Sequence, residues 1–231
     1  MKEVCLVGGD ARVDFAVQAL RNAGYSARRI PLAEAQACAE RGSVIVGGGL
    51  HETPDGLDYL KDEAFLYDNA RITAEGAVML LGECTQGTVH GMDAAVIGMG
   101  RIAECLCPLL RALGARVTVY ARRPEVLARA RAMGAQTVCF ADTLPVCAAR
   151  HDAICNTVPH VLYGRELLEN APRDALLLEL ASAPGGFDTD AVRALGLTHV
   201  NGQGLPGKYA PRAAGELIAQ YVIERLRGEN V

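Results

Sequence analysis

Six residues, Gly98-Met99-Gly100-Arg101-Ile102-Ala103, have the spacing of a turn that admits a pyrophosphate. Gly98 permits the turn, Gly100 lets a phosphate approach the backbone, and Ala103 is small enough for a helix to pack closely on a strand. An apolar run, Ala94–Ile97, precedes them. A helical pattern follows, with Ile102, Leu106, Leu109, Leu110 and Leu113 on one face, and Gly114 ends it before the β-rich run Val117-Thr118-Val119-Tyr120. Strand, tight turn, helix and second strand form the context in which G-x-G-x-x-A binds a dinucleotide, because the first amides of the helix face the phosphates. The rival reading is an α/β unit whose glycines only make a turn.

The end of the second strand points to the cofactor. It reads Ala121-Arg122-Arg123, with no carboxylate before Glu125, where an NAD site usually has Asp or Glu for the ribose hydroxyls. Two guanidiniums suit a 2′-phosphate, which they bind by forked, charge-assisted hydrogen bonds. NADP is therefore preferred over NAD. The expected cofactor residues are Gly98, Gly100, Arg101, Ile102, Ala121, Arg122 and Arg123. Asn156, Thr157 and Pro159, at the end of a later strand, are expected at the nicotinamide ribose or carboxamide.

Hydride transfer also needs a proton acceptor and a substrate anchor. No Lys-Asp or His-Glu pair stands out. His90, before the cofactor strand, and His160, after Pro159, are base candidates set against the blander reading of solvated turn histidines. No H-E-x-x-H, G-x-S-x-G or Walker sequence occurs, which removes support for a metalloprotease, a serine hydrolase or a P-loop ATPase. Eight cysteines form no C-x-x-C, and Cys105-x-Cys107 lies on a helical stretch without histidines, so no metal site is expected.

These residues need a scaffold, and the pattern supplies an α/β one throughout. Val4–Val7, Ser26–Ile30 and Ser43–Val46 read as strands around helices carrying Phe15, Val17 and Leu20, then Ala33–Glu40. Leu50–Arg71, with His51 and Glu52, gives no clear pattern. Thr73 reads as the N-cap of a connector helix running toward Cys84, and Gln86–Gly91 as the turn before the cofactor strand. Beyond Arg123 the expected elements are a helix over Glu125–Met133, a strand over Thr137–Phe140 and a short helix over Thr143–Ala149. They continue with strands ending at Asn156 and Ala181, a helix over Asp188–Leu195, a strand over Thr198–Asn201, a glycine-rich loop over Gly202–Lys208, and a last helix from Pro211 to Arg227. The predicted fold is α/β, with two Rossmann-like parallel-sheet domains, the second a complete dinucleotide-binding fold. Residues 1–71 form a small substrate-side domain and 72–90 a connector. Residues 91–208 form the NADP-binding domain, and 209–231 a helix returning to the first domain.

Composition sets the remaining bounds. At 231 residues the chain can bury an ample core, and half of it is hydrophobic, with 22% charged residues and a formal net charge of −4. That balance lacks the basic excess of a nucleic-acid binder. No apolar run reaches membrane-spanning length, and the opening strand-like run is too soon broken by Gly8-Gly9-Asp10 for a signal peptide. Buried, reduced thiols explain the cysteines, so a cytoplasmic enzyme is expected.

Collected together, the loops resemble those of the dipicolinate synthase A-subunit family. The resembling residues are Gly8-Gly9-Asp10-Ala11-Arg12, Thr73-x-Glu75-Gly76, His90-Gly91, Gly98-Met99-Gly100-Arg101 and Asn156-Thr157-Val158-Pro159. Two longer motifs follow, Ala181-Ser182-x-Pro184-Gly185-Gly186 and Gly204-Leu205-Pro206-Gly207-x-x-Ala210-Pro211-Arg212-x-Ala214-Gly215. The segment before Thr73 is shortened relative to that family. The second domain is also similar to D-2-hydroxyacid and shikimate dehydrogenases, without recognisable counterparts of their catalytic residues. The resemblance implies NADP-linked oxidation of dihydrodipicolinate to dipicolinate during sporulation, with substrate in the cleft between two domains. It also implies a partner, a flavoprotein-like B subunit. It leaves open a homo-oligomer, a non-catalytic nucleotide-binding subunit, and a dehydrogenase for another small carboxylic acid. On that reading the dicarboxylate meets Asp10, Arg12, Thr73, Gly185, Gly186, Lys208 and Arg212, with Arg12 and Arg212 pairing with its carboxylates. Ser182 donates a hydrogen bond, and Glu75 or His90 accepts the proton.

Overall fold

The structure, a computed structural model, describes residues 2–50, 53, 56–85, 87–141, 147 and 149–228. His51, Glu52, Gln86 and most of the helix expected over Thr143–Ala149 lie outside the described residues. The chain divides into two compact units. One runs up to Ile72 and resumes at Gly204, and the other is Thr73–Gln203.

In the first unit, β1 (Val4–Val7), α1 (Ala11–Asn22), β2 (Ala27–Ile30), α2 (Ala35–Glu40) and β3 (Val44–Gly47) follow the expected alternation. All strand pairs are parallel, with β1 between β2 and β3 and a fourth strand beyond β3. The fourth strand, β4 (Leu57–Asp58), comes from the stretch in which no pattern is visible; two residues are too few to show a period. Asp58 explains its placement, because its carboxylate accepts from Gly49 N (3.0 Å) and Leu50 N (3.2 Å) and so ties down the turn after β3.

The connector helix differs from expectation. Helix α3 spans Glu63–Thr85, so Thr73 is buried in mid-helix instead of capping it. The start signal is Asp62, whose carboxylate accepts from Phe65 N at 2.8 Å, an ordinary N-cap arrangement. Gly202–Lys208 is likewise not all loop. Helix α8 (Leu205–Tyr209) begins there, with Pro206 in its first turn, where a missing N–H costs nothing. Helix α9 (Pro211–Gly228) then packs on α1, with Ile218, Ala219 and Val222 sharing a buried cluster with Val13, Ala16, Val17 and Leu20. The close approach is made at Gly215, where a Cβ would lie 2.5 Å from the Arg12 carbonyl oxygen and 2.6 Å from Phe15 Cβ.

The second unit contains β5 (Asp93–Ile97), α4 (Arg101–Ala112), β6 (Arg116–Ala121), α5 (Pro124–Ala132), β7 (Gln136–Cys139) and β8 (Ala153–Asn156). It continues with α6 (Arg165–Leu168), β9 (Leu176–Glu179), α7 (Thr189–Leu195) and β10 (Thr198–Asn201). The sheet is parallel throughout, in the order β10-β9-β8-β5-β6-β7. Strands β8 and β9 are buried at every residue, as a sheet covered on both faces requires. The order reverses at β5, and a reversal of this kind opens a ligand crevice beyond the carboxyl ends of the strands. The fold is therefore the predicted pair of Rossmann-like parallel-sheet domains. Among the described residues no helix is long and apolar enough to cross a membrane.

Gly215→Ala tests the α1–α9 contact. The added methyl has no room beside the Arg12 carbonyl, so urea unfolding should show a loss of about 1–3 kcal/mol. Unchanged stability would mean the two helices are not in this contact.

Candidate dinucleotide site

The fingerprint turn lies at the carboxyl end of β5, on the strand-order reversal. Gly98 has φ +87° and donates its N–H to the Tyr120 carbonyl at 2.9 Å. A Cβ there would meet Val158 Cγ2 at 2.8 Å, so the glycine is required by backbone conformation and by packing. Gly100 is different. Its backbone is extended, and a Cβ built on it meets nothing within 4 Å. Neither strain nor the protein's own packing demands a glycine there, which leaves close approach of a ligand as the reason for it.

Helix α4 starts directly after Gly100, which as a glycine has no side chain to cap it. Its first amides therefore lack an intrahelical partner and face outward. The one acid of its first turn, Glu104, is drawn to Arg129 of α5 at 2.6 Å. Ala103 is fully buried and Ile102 half-buried, which seats the helix on the sheet. The corresponding turn of the first unit has the opposite character. There Asp10 caps α1, accepting from Arg12 N at 2.9 Å, and its carboxylate occupies the place an anion would take.

A cavity of about 550 Å³ opens over the turn. On one side it is lined by Tyr120, Ala121, Arg122, Arg123 and Phe140, and on the other by Thr157, Val158, Pro159 and Leu162. Arg122 and Arg123 are exposed. Arg122 lies over the Phe140 ring, 5.9 Å from its centroid, and Arg123 makes only a loose surface contact with Glu125 at 3.7 Å. Tyr120 is pinned by its hydroxyl to His151 Nε2 at 2.8 Å. Burial raises the pKa of the phenol and lowers that of the imidazole, which holds both neutral near pH 7. Volume, open glycine, uncapped helix and paired arginines all suit a dinucleotide.

Comparison with known proteins agrees. Residues 69–205, more than half of the chain, match the model of the D-isomer specific 2-hydroxyacid dehydrogenase NAD binding domain. The chain belongs to this family. Membership makes it an NAD(P)-dependent oxidoreductase by class. It is also a homologue of the dipicolinate synthase A-subunit from Bacillus subtilis, with 35% identity over 169 residues, which cover 73% of this chain and 56% of that protein. The crystal structure of the dipicolinate synthase A-subunit from Bacillus subtilis matches with a TM-score of 0.83 at 25% identity, covering 99% of this chain and 96% of that one. Its counterpart from Bacillus halodurans has the same fold, with a TM-score of 0.83 at 24% identity over 97% of both chains.

The dehydrogenase-family domain brings together Gly98, Gly100, Arg101, Ile102, Ala121, Arg122, Arg123, Thr157 and Pro159 at one end of its sheet. Thr157 is half-buried, and its hydroxyl donates to the Ile97 carbonyl at 2.7 Å. Asn156 needs correction as a cofactor contact. It is fully buried, and its amide is spent within the protein, donating to Val158 O (2.9 Å) and Glu179 Oε1 (2.8 Å) and accepting from Val158 N (3.2 Å). Gly185 and Gly186 serve the same group. A Cβ on Gly185 would lie 2.8 Å from Glu179 Oε2, and one on Gly186 2.4 Å from Asn156 Nδ2. Ser182 is exposed in the turn closed by Gly185 N on its carbonyl.

His90 cannot accept a proton at this site. It precedes β5, at the amino end of the sheet, and the five residues of β5 put the fingerprint roughly 15 Å away. Its ring lies against Gly114, where a Cβ would come within 2.2 Å of Nδ1, and Gly91 N bonds the Gly114 carbonyl at 3.0 Å. The His90-Gly91 pair is thus a clasp on the turn between α4 and β6, beside a separate cavity of about 410 Å³. Glu75 is exposed on α3. In the first unit Arg12 forks onto Asp10 at 2.6–3.0 Å, which holds that carboxyl below its usual pKa, and Arg212 pairs with Glu216 at 2.9 Å. Lys208 is exposed and makes no ion pair among the described residues. No three His, Cys, Asp or Glu among the described residues could hold a metal ion.

Sequence reading missed two residues here. Phe140 carried a signal, as an aromatic residue ending the strand next to Arg122. Glu179 carried none, since a lone acid in an apolar run reads as a strand end.

Gly100→Ala separates ligand approach from folding. The methyl enters open space, so stability should change by less than about 1 kcal/mol, the scale of an N-cap change. Dinucleotide affinity, measured by titration calorimetry, should fall severalfold. Unaltered affinity would show that no phosphate comes close to Gly100.

Proposed function

We propose that the chain is an NADP-preferring oxidoreductase that oxidises dihydrodipicolinate to dipicolinate. The observation that carries the cofactor choice is the end of β6. Ala121-Arg122-Arg123 offers two exposed guanidiniums and no carboxylate at the ribose position, with Arg122 laid over Phe140. The substrate reading rests on the homology to the dipicolinate synthase A-subunit, a protein of which the alignment spans 56%.

Bound NADP+ supplies a hydride acceptor at nicotinamide C4. The chain's residues do the rest. Gly98 and Gly100 admit the pyrophosphate, the first amides of α4 bond it, and Arg122 and Arg123 hold the 2′-phosphate. Thr157 and Pro159 wall the opposite side of the cavity. Of the cations proposed for substrate carboxylates, Lys208 is the one without an acidic partner among the described residues, whereas Arg12 and Arg212 act from existing pairs. Glu75 accepts the proton and Ser182 donates a hydrogen bond in this reading. The relative is one lettered component of a synthase, which supports a second component, for which a flavoprotein-like chain is the candidate. The eight cysteines, all free, suit a reducing cytosol.

The cofactor choice is tested by replacing Arg122 and Arg123 with Ala. Loss of charge-assisted hydrogen bonds should raise the NADPH dissociation constant by about 10-fold or more and leave NADH almost unchanged. Equal changes for both dinucleotides would refute the 2′-phosphate assignment. The substrate is tested by supplying dihydrodipicolinate and NADP+ and following NADPH formation, with and without the flavoprotein-like chain. Turnover in either condition supports the synthase. Its absence in both favours a non-catalytic nucleotide-binding subunit, or an oxidoreductase for a different small acid.

A further inference from the structure

Glu179 is a carboxylate at the end of a buried strand, only 4% exposed, and no Lys or Arg pairs with it among the described residues. An isolated buried carboxylate is costly unless its lone pairs are met by donors. Here they are met. Oε1 accepts from Asn156 Nδ2 (2.8 Å) and Ala181 N (2.9 Å), and Oε2 accepts from Gly186 N (2.6 Å). Strand register makes this possible, because Asn156 and Glu179 are direct partners across β8 and β9.

The carboxylate therefore ties the loop after β9 to the end of β8, and the tie continues to the cofactor turn. Asn156, oriented by Glu179, brackets the backbone of Val158 from both its N–H and its carbonyl. Val158 in turn fills the space beside Gly98 that a Cβ would need. We propose that Glu179 is a positioning residue for the β8 half of the cofactor site, acting through Asn156 and Val158. The proposal rests on the dinucleotide reading above. A dinucleotide lying across the strand-order reversal puts its adenine half on the β6 side, with Arg122, and its nicotinamide half on the β8 side. Glu179 thus governs the nicotinamide half.

Glu179→Gln is the test. The glutamine oxygen can still serve Asn156 and Ala181, but its amide would present a donor to the Gly186 N–H, which has no acceptor to offer. Dissociation constants are measured for NADPH and NADH, and for their adenine halves, 2′,5′-ADP and ADP. The expected result is whole-dinucleotide binding weakened by about 10-fold or more, with adenine-half binding unchanged within about twofold. The fluorescence change of the reduced nicotinamide on binding should also shrink. Equal weakening of whole and half ligands would mark a merely structural role and overturn the proposal, as would unaltered binding of both. If the glutamine variant fails to fold, Asn156→Ala, which leaves two of the three donors on Glu179, should give the same selective pattern, and a non-selective one overturns the proposal. Wild-type protein that binds neither dinucleotide would overturn the cofactor reading and this inference with it. Wild-type binding with an unaffected variant overturns this inference alone.

Discussion

The uncapped start of α4 is the constraint on which the dinucleotide site depends. A helix N-terminus has amides without intrahelical partners, and most helices satisfy them with a capping side chain. Here Gly100 stands at the cap, the space in front of it is open, and the acid of the first turn is held by Arg129. The helix start is thus open to an outside anion, at the point where the strand order reverses. The first unit repeats the same strand-turn-helix plan and closes it, with Asp10 on one amide of α1, that of Arg12, and the Arg12 guanidinium forked on Asp10. One side chain, present at Asp10 and absent at Gly100, decides which of two similar turns can take a pyrophosphate.

Around that point the charges are sorted by solvent exposure. Arg122 and Arg123 are exposed at the rim of the cavity, Arg123 with a loose surface ion pair to Glu125 at 3.7 Å. Glu179 and Asn156 sit deep behind it, with every oxygen of the carboxylate met by an N–H. A buried anion satisfied by amides fixes geometry without needing a cation nearby. That arrangement also accounts for Gly185 and Gly186, whose missing side chains make room for the carboxylate and the amide.

Much of the fold was legible in the residues. Among the described residues, nine of the ten strands are long enough to show as apolar or β-rich runs, and the exception, β4, has two residues. Helix α3 was legible only in its second half. Thr73 resembles a cap and Gly76 a weak point, and the true start at Asp62 depends on one side chain reaching Phe65 N. Family motifs marked the important loops but not their tasks. His90-Gly91 and Pro184-Gly185-Gly186 stand out as spacings, while their work is to fit against Gly114 in one case and Glu179 in the other.

Local residue order is enough to specify the cofactor turn, the arginines that follow it and the α/β alternation. Each of these is written within a short stretch, in glycine spacing and in periods of two or 3.6 residues. Two other assignments come from tertiary packing alone: Asn156 faces Glu179, and His90 lies at the amino end of the sheet. They depend on parallel register between strands and on which end of a strand a loop leaves. Both are set by contacts between segments far apart in the chain, which no local spacing records.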